Sequence, residues 1–216
     1  MRIAVTGGSG KLGRHVVRHL RAGGHDVLNF DATGERWTGW TQVDLADSGQ
    51  VADIFGGAHG ELAPVEAVVH LVAIPATGLA PDSVTFRTNL TVTFNVLHAA
   101  IRQGITRIVM ASSETVLGLP FDTPPPYVPV DEEYAARPES VYSLGKYLEE
   151  TMAIELVRWH PELTITALRF SNVMDVEDYA AFPGFDAYAR ARKWTLWGYI
   201  DGPRPGEDRL RPLVVT

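Results

Sequence analysis

Tyr142 and Lys146 stand four residues apart in Tyr142-Ser143-Leu144-Gly145-Lys146, and a helix would set them on one face. A free phenol titrates near about pH 10. A neighbouring ammonium favours the phenolate by Coulomb attraction, which brings a base closer to working pH, where it serves best. The same lysine could also reach the ribose of a bound cofactor. This spacing alone is common on exposed helices, so a third group matters. Ser112-Ser113 ends an apolar segment. A hydroxyl there could donate to a substrate oxygen and stabilise its developing charge, or simply cap a strand-end loop.

A second cluster suits phosphate. Gly7, Gly10 and Gly13 form G-x-x-G-x-x-G between a short apolar run and a helical pattern. Glycine permits the tight turn and lets backbone amides approach a phosphate. The following helix offers unpaired N–H groups and a positive dipole end. A glycine-rich turn without a ligand has the same appearance, and position decides: this one is the first strand-to-helix turn. Asp31 ends the second apolar run. A carboxylate there accepts from ribose hydroxyls and repels a 2′-phosphate, which favours NAD over NADP. Asp31-Ala32-Thr33-Gly34 also reads as a turn, and Arg36 could accommodate a phosphate instead. Asp44 could accept from an adenine amino group or act as a cap.

The elements that must position these groups alternate. Strands are expected at 3–5, 26–30, 41–43, 65–71, 107–111 and 163–170, with helices at 11–22, 48–55, 81–103 and 140–160. The helix at 81–103 carries Phe86, Leu90, Phe94, Leu97 and Ile101 on one side, the expected core face. This order predicts a Rossmann-like, doubly wound α/β fold with a parallel sheet. Ligands of such sheets bind at the carboxyl ends of the strands, where the motifs fall. Residues 120–138 are proline-rich and expected as a loop bordering the site. The tail from Gly202 carries helix breakers and no apolar period.

These pieces together resemble the extended short-chain dehydrogenase/reductase superfamily, in its NAD-dependent epimerase/dehydratase branch. The matching residues are Thr6-Gly7-Gly8-Ser9-Gly10-Lys11-Leu12-Gly13, Asp31, Asp44-Leu45, His70-Leu71-Val72-Ala73, Asn89, Ser112-Ser113-Glu114-Thr115-Val116-Leu117-Gly118, Tyr142 with Lys146, and Leu168-Arg169-Phe170-Ser171-Asn172-Val173. The resemblance implies that Tyr142 is the general acid/base and that Lys146 assists it and holds the nicotinamide ribose. It puts the catalytic hydroxyl on Ser113 rather than Ser112. Gly7, Gly10, Lys11, Leu12 and Gly13 would cradle the pyrophosphate. Asp31, Asp44, Leu45, Leu71 and Ala73 would line the rest of the cofactor site, Asn89 would support the catalytic helix or its proton path, and Ser113, Glu114 and Asn172 would face a sugar-like substrate. Two long helices pairing across subunits would make a homodimer.

Departures narrow the chemistry. Sugar-nucleotide dehydratases carry Asp-Glu after the Ser/Thr; here those positions are Glu114 and Thr115, which disfavours dehydration. Leu117 replaces a common tyrosine. We therefore expect a dehydrogenase of a sugar, sugar acid or nucleotide sugar, with an epimerase close behind and a dinucleotide-binding protein without turnover as the alternative. The organisation expected is a dinucleotide-binding unit at 1–170 and a reduced, truncated substrate-lobe segment at 171–216, since the family pattern is lost at Gly202.

The bulk properties agree. The 216 residues carry a formal charge of −7, are 45% hydrophobic and contain no cysteine. The charge argues against nucleic-acid and anionic-membrane surfaces. Missing cysteine removes disulfides and thiolate metal sites and fits a reducing cytoplasm. Neither a signal peptide nor a membrane span is visible. His15 and His19 share a helical face but lack a third ligand, so no metal is expected. Trp37, Trp40, Trp194 and Trp197 are expected in packing, the last pair beside the substrate lobe.

Overall fold

The computed structural model describes residues 1–34, 37, 39–56, 64–119, 125–127, 129–175, 178 and 213–215. Six strands form a parallel array: β1 (Arg2–Thr6), β2 (Asp26–Asp31), β3 (Trp40–Gln42), β4 (Ala67–His70), β5 (Arg107–Ser113) and β6 (Thr164–Phe170). The spatial order is β3-β2-β1-β4-β5-β6, with β7 (Leu213–Val215) antiparallel to β6 at the far edge. Order reverses between β1 and β4, so a crevice forms at their carboxyl ends. The helices are α1 (Lys11–Ala22), α2 (Ser48–Gly56), α3 (Asp82–Arg102) and α4 (Val141–Trp159). The doubly wound expectation holds.

Apolar runs make these strands central. Ala4, Val5, Val68, Ile108 and Ile165 are buried, as strands covered on both faces require. The larger core lies between the sheet and α2, α3 and α4, around Phe30, Leu97, Met110 and Ile165. A smaller one joins Ile3, Val5, Val17 and Val27 under α1.

Two expectations change. The stripe of Phe86, Leu90, Phe94, Leu97 and Ile101 points inward only in part: Leu97 is fully buried and Ile101 packs on the core, whereas Phe94 is 48% exposed, its ring stacked on His98. The inward face is Thr85, Asn89, Val92, Thr93, Val96, Leu97 and Ala100. Small and polar residues let α3 approach its neighbours and satisfy buried groups, so size misled the pattern. The tail, expected irregular, contributes β7; its Leu-Val-Val run suits an edge strand. Trp194 and Trp197 lie outside the described residues, as do Arg36 and 179–212.

Candidate active site

At the first turn the backbone is shaped by sterics. Gly7 has φ +74°, and a Cβ there would lie 2.7 Å from Val72 N. A Cβ on Gly13 would lie 2.1 Å from Gly7 O. Neither position tolerates another residue unchanged, so strand and helix close tightly, with Gly10 N donating to Gly7 O at 3.1 Å. Helix α1 starts at Gly10 with no side-chain cap and no acidic residue in its first turn. The amides of Lys11, Leu12 and Gly13 therefore begin a helix with its positive end unmasked. This cradle fits a pyrophosphate.

Asp31 is buried at the end of β2, accepting from Ser9 N at 3.0 Å and Thr33 N at 3.4 Å. It ties the second strand to the phosphate turn. Beside it a cleft of about 700 Å³ opens between α1 and the chain after β2, with Ser9, Gly34 and Trp37 on one side and Arg14, Arg18 and Arg21 on the other. Arg21 lies over the Trp37 ring at 4.5 Å. Arg14 and His15 both pair with Asp175, and Lys11 Nζ pairs with Asp178 at 2.5 Å. These partners hold both aspartates below the usual carboxylate range. Asp44 forms a turn, its Oδ1 accepting from Ala46 N at 2.9 Å, and Leu45 is buried in the core.

The segment after β4 is fixed from α3. Asn89 Oδ1 accepts from Ile74 N at 2.8 Å and its Nδ2 donates to Ile74 O at 3.1 Å. Both ends of this buried amide thus hold the Ile74 backbone, one residue after Ala73, near the strand end. His70, just before it, is 2% exposed between the Thr6 and Thr93 hydroxyls, at 2.7 and 3.0 Å. Burial, aided by the Lys146 charge, pushes its pKa down to about 3, so the imidazole is neutral.

Helix α4 carries Tyr142 and Lys146, the pair expected to do acid–base work. Ser140 and Ser143 form a reciprocal capping box at its start. Tyr142, in the first turn, is half-buried, and Lys146, one turn on, is 3% exposed. Lys146 Nζ donates to Ala111 O at 3.0 Å and to Glu149 Oε2 at 2.9 Å. It therefore lies against β5, two residues before Ser113. Ser113 Oγ accepts from Thr115 N at 3.2 Å and Thr115 Oγ1 at 2.9 Å. Those bonds use its acceptor sites and leave its own proton for another group. The loop-capping and substrate-donor roles are thus compatible. Burial pushes the Glu114 carboxyl up, with the Ser171 hydroxyl acting against it; Asn172 is exposed on the same segment.

Sequence reasoning missed the charges beneath this pair. Glu150 accepts Ser112 Oγ at 2.5 Å and a two-pronged contact from Arg169 at 2.9 and 2.8 Å. Glu149 is fully buried beside Lys146. The available signal was the i, i+3 and i, i+4 spacing from Lys146 to Glu149 and Glu150 on one helix. Among the described residues no cluster could hold a metal ion.

With this geometry in place, comparison with known proteins is decisive: the model of the NAD dependent epimerase/dehydratase family matches residues 3–188. The chain belongs to this family. A UDP-glucose 4-epimerase of Bacillus subtilis is 29% identical over 80% of the chain and 52% of its own length. The L-arabinose 1-dehydrogenase (NAD(P)(+)) of Haloferax volcanii is 30% identical over 83% of the chain and 74% of its length. A short-chain dehydrogenase/reductase superfamily protein from Agrobacterium tumefaciens, solved with bound NAD, is 32% identical with a TM-score of 0.66, over 80% of this chain and 49% of its own. The chain spans about half the length of most curated relatives it matches. No helix among the described residues is long and apolar enough to cross a membrane.

Proposed function

We propose that this family member is an oxidoreductase acting by hydride transfer at a secondary alcohol of a sugar, sugar acid or nucleotide sugar, with Ser113, Tyr142 and Lys146 as its working group. The observation that carries the reading is the lodging of Lys146 against Ala111, one helical turn from Tyr142 and two residues from Ser113. In this reading a phenol, an ammonium and a hydroxyl proton work together at the carboxyl end of β5. The glycine cradle, the open start of α1 and the Asp31 carboxylate support NAD as cofactor, held by Gly7, Gly10, Lys11, Leu12, Gly13 and Asp31, with Asp44, Leu45, Leu71, Ala73 and Asn89 shaping the rest. Bound NAD would supply the hydride acceptor.

The chain's own residues divide the remaining work. Tyr142, as phenolate, takes the hydroxyl proton as the hydride leaves the same carbon, so the alcohol becomes a carbonyl. Lys146 favours the phenolate. Ser113 donates to the substrate oxygen and orients it, with Glu114 and Asn172 on the substrate side. The arabinose dehydrogenase relative favours release of the carbonyl. The epimerase relatives favour a second reading, in which hydride returns to the opposite face. Arg14 and Arg18 beside the phosphate turn keep NADP a weaker alternative.

The same proposal keeps 1–170 as the dinucleotide-binding unit and 171–216 as the substrate-side segment. It makes the protein a cytoplasmic homodimer, its subunits meeting through α3 and α4, on which Phe94, Tyr147 and Ile154 are exposed. The test is a titration with NAD and NADP, then NADH formation with a panel of sugars, sugar acids and nucleotide sugars, backed by product analysis for epimers. Tyr142→Phe should lower kcat by about 10²–10⁴-fold with NAD affinity retained. Turnover untouched by that change would reject the assignment.

A further inference from the structure

Helix α4 buries two consecutive carboxylates, and they are balanced differently. Glu150 is met by Arg169 through both oxygens and by Ser112. Glu149 is 0% exposed, and its one ion-pair partner among the described residues is Lys146, at 2.9 Å through Oε2. Among the described residues its buried Oε1 has no hydrogen-bond partner. A carboxylate so placed costs stability unless its cation stays close, so Glu149 and Lys146 hold one another.

Among the described residues the surroundings add no other counter-charge. Glu150, the next carboxylate, is already matched by Arg169. His70 faces Lys146 from β4 but is neutral. Thr93, from α3, contributes a smaller favourable interaction with the Glu149 carboxylate. Burial holds Glu149 above the usual carboxylate range, with the Lys146 ammonium acting against that.

We propose that Glu149 is a positioning residue that anchors Lys146 beneath the end of β5 and sets how much of its positive charge is felt at Tyr142. This rests on the reading of Tyr142 and Lys146 as the acid–base pair. A carboxylate on one side of the ammonium opposes its field on the other. Removing that negative charge would leave the phenolate more strongly favoured.

The experiment reads the phenol directly, with no substrate or cofactor. The ultraviolet absorbance of tyrosinate is followed against pH in the full chain and in its Tyr142→Phe counterpart, and the difference isolates Tyr142. Glu149→Gln is measured in both backgrounds. The midpoint is expected to fall by about one pH unit in Glu149→Gln. Glu149→Asp, which keeps the charge but retracts it by one methylene, should move the midpoint in the same direction by less. An unmoved midpoint in Glu149→Gln overturns the proposal. If that variant does not fold, an unmoved midpoint in Glu149→Asp does so. The kcat/KM pH profile, once a substrate is known, should shift with the titration. Turnover that survives Tyr142→Phe would instead sink the assignment of the base, a separate result.

Discussion

Helices α1 and α4 both begin at the functional end of the sheet, and they begin in opposite ways. Helix α1 starts at Gly10 with no side-chain cap and no acid in its first turn. Helix α4 starts with Ser140 and Ser143 each bonding the other's backbone N–H, at 3.1 and 2.8 Å. One start leaves donors for an anion. The other spends its donors internally and fixes the turn that carries Tyr142. The contrast extends along each helix. Helix α1 is seated by glycine and backbone contacts, whereas α4 is tied to β5 and β6 through buried charges. In the proposed function, a site for a ligand's charge is built by omission, and a site for proton transfer by saturation.

The charge ties of α4 should be the harder to lose. Glu150→Ala leaves the Arg169 guanidinium without its bidentate carboxylate and the Ser112 hydroxyl without its acceptor. Breaking a buried pair from one side costs about 3–5 kcal/mol. Urea unfolding of the variant should show that loss. A loss near zero would mean that α4 is held by apolar packing rather than by its buried charges, and the contrast would fail.

Acid should attack the β4–α3–α4 side through His70. Its native pKa of about 3 lies below the ordinary 6.5, so between those values the unfolded chain binds more protons. Stability is then fully present above pH 6.5 and is lost as pH falls towards 3. Glu149 is shifted the other way, above 4.5, and offsets His70 only at pH values above 4.5. Between about pH 4.5 and 3 His70 acts unopposed by Glu149, and the loss is about 2 kcal/mol at roughly 1.4 kcal/mol per unit. Urea titrations across that window should show this slope in the natural protein and a shallower one in His70→Gln. Equal slopes would place the acid-sensitive group elsewhere.

The open start of α1 can be closed deliberately. Gly10 has φ −71° and ψ 176°, the extended geometry of an ordinary N-cap. Its added Cβ would meet Gly7 O at 3.3 Å, tight but adjustable. Gly10→Asp should therefore fold and cap the helix, and its carboxylate should repel a pyrophosphate. We expect NAD affinity to fall about tenfold while the melting temperature holds. Unchanged affinity would show that the uncapped start is not where the cofactor's charge sits.

The sequence reading succeeded where contacts are local or periodic. The strands, the glycine turn and the placing of Tyr142 and Lys146 on one helix are all carried by residues a few positions apart. It failed where partners are distant. Ser112 and Glu150 are 38 residues apart and Glu150 and Arg169 are 19 apart, so no spacing announces the triad. The stripe on α3 held at Leu97 and Ile101 and broke at Phe94 for a different reason. A helix packed on both the sheet and α4 selects small and polar residues for its inner face, and Phe94 follows the helical period while facing out. Asp44 and Leu45, expected beside a cofactor, form a turn and a core contact.

The smallest effect tests the saturated side of the comparison at its start. Ser140→Ala removes the oxygen that accepts Ser143 N at 3.1 Å and contacts Ser143 Oγ at 2.9 Å. Loss of an N-cap of this kind costs about 1 kcal/mol, far less than Glu150→Ala. Tyr142 lies in the turn that the cap closes, so its orientation should loosen more than the fold does. We expect a modest drop in melting temperature and a fall in kcat with NAD affinity unchanged, because the proposal puts the cofactor's phosphates at the other helix. Kinetics with the substrate found by the sugar panel would read the split. If NAD affinity falls as far as kcat, the two helix starts are coupled through the sheet, and the division into an anion end and a proton-transfer end does not hold.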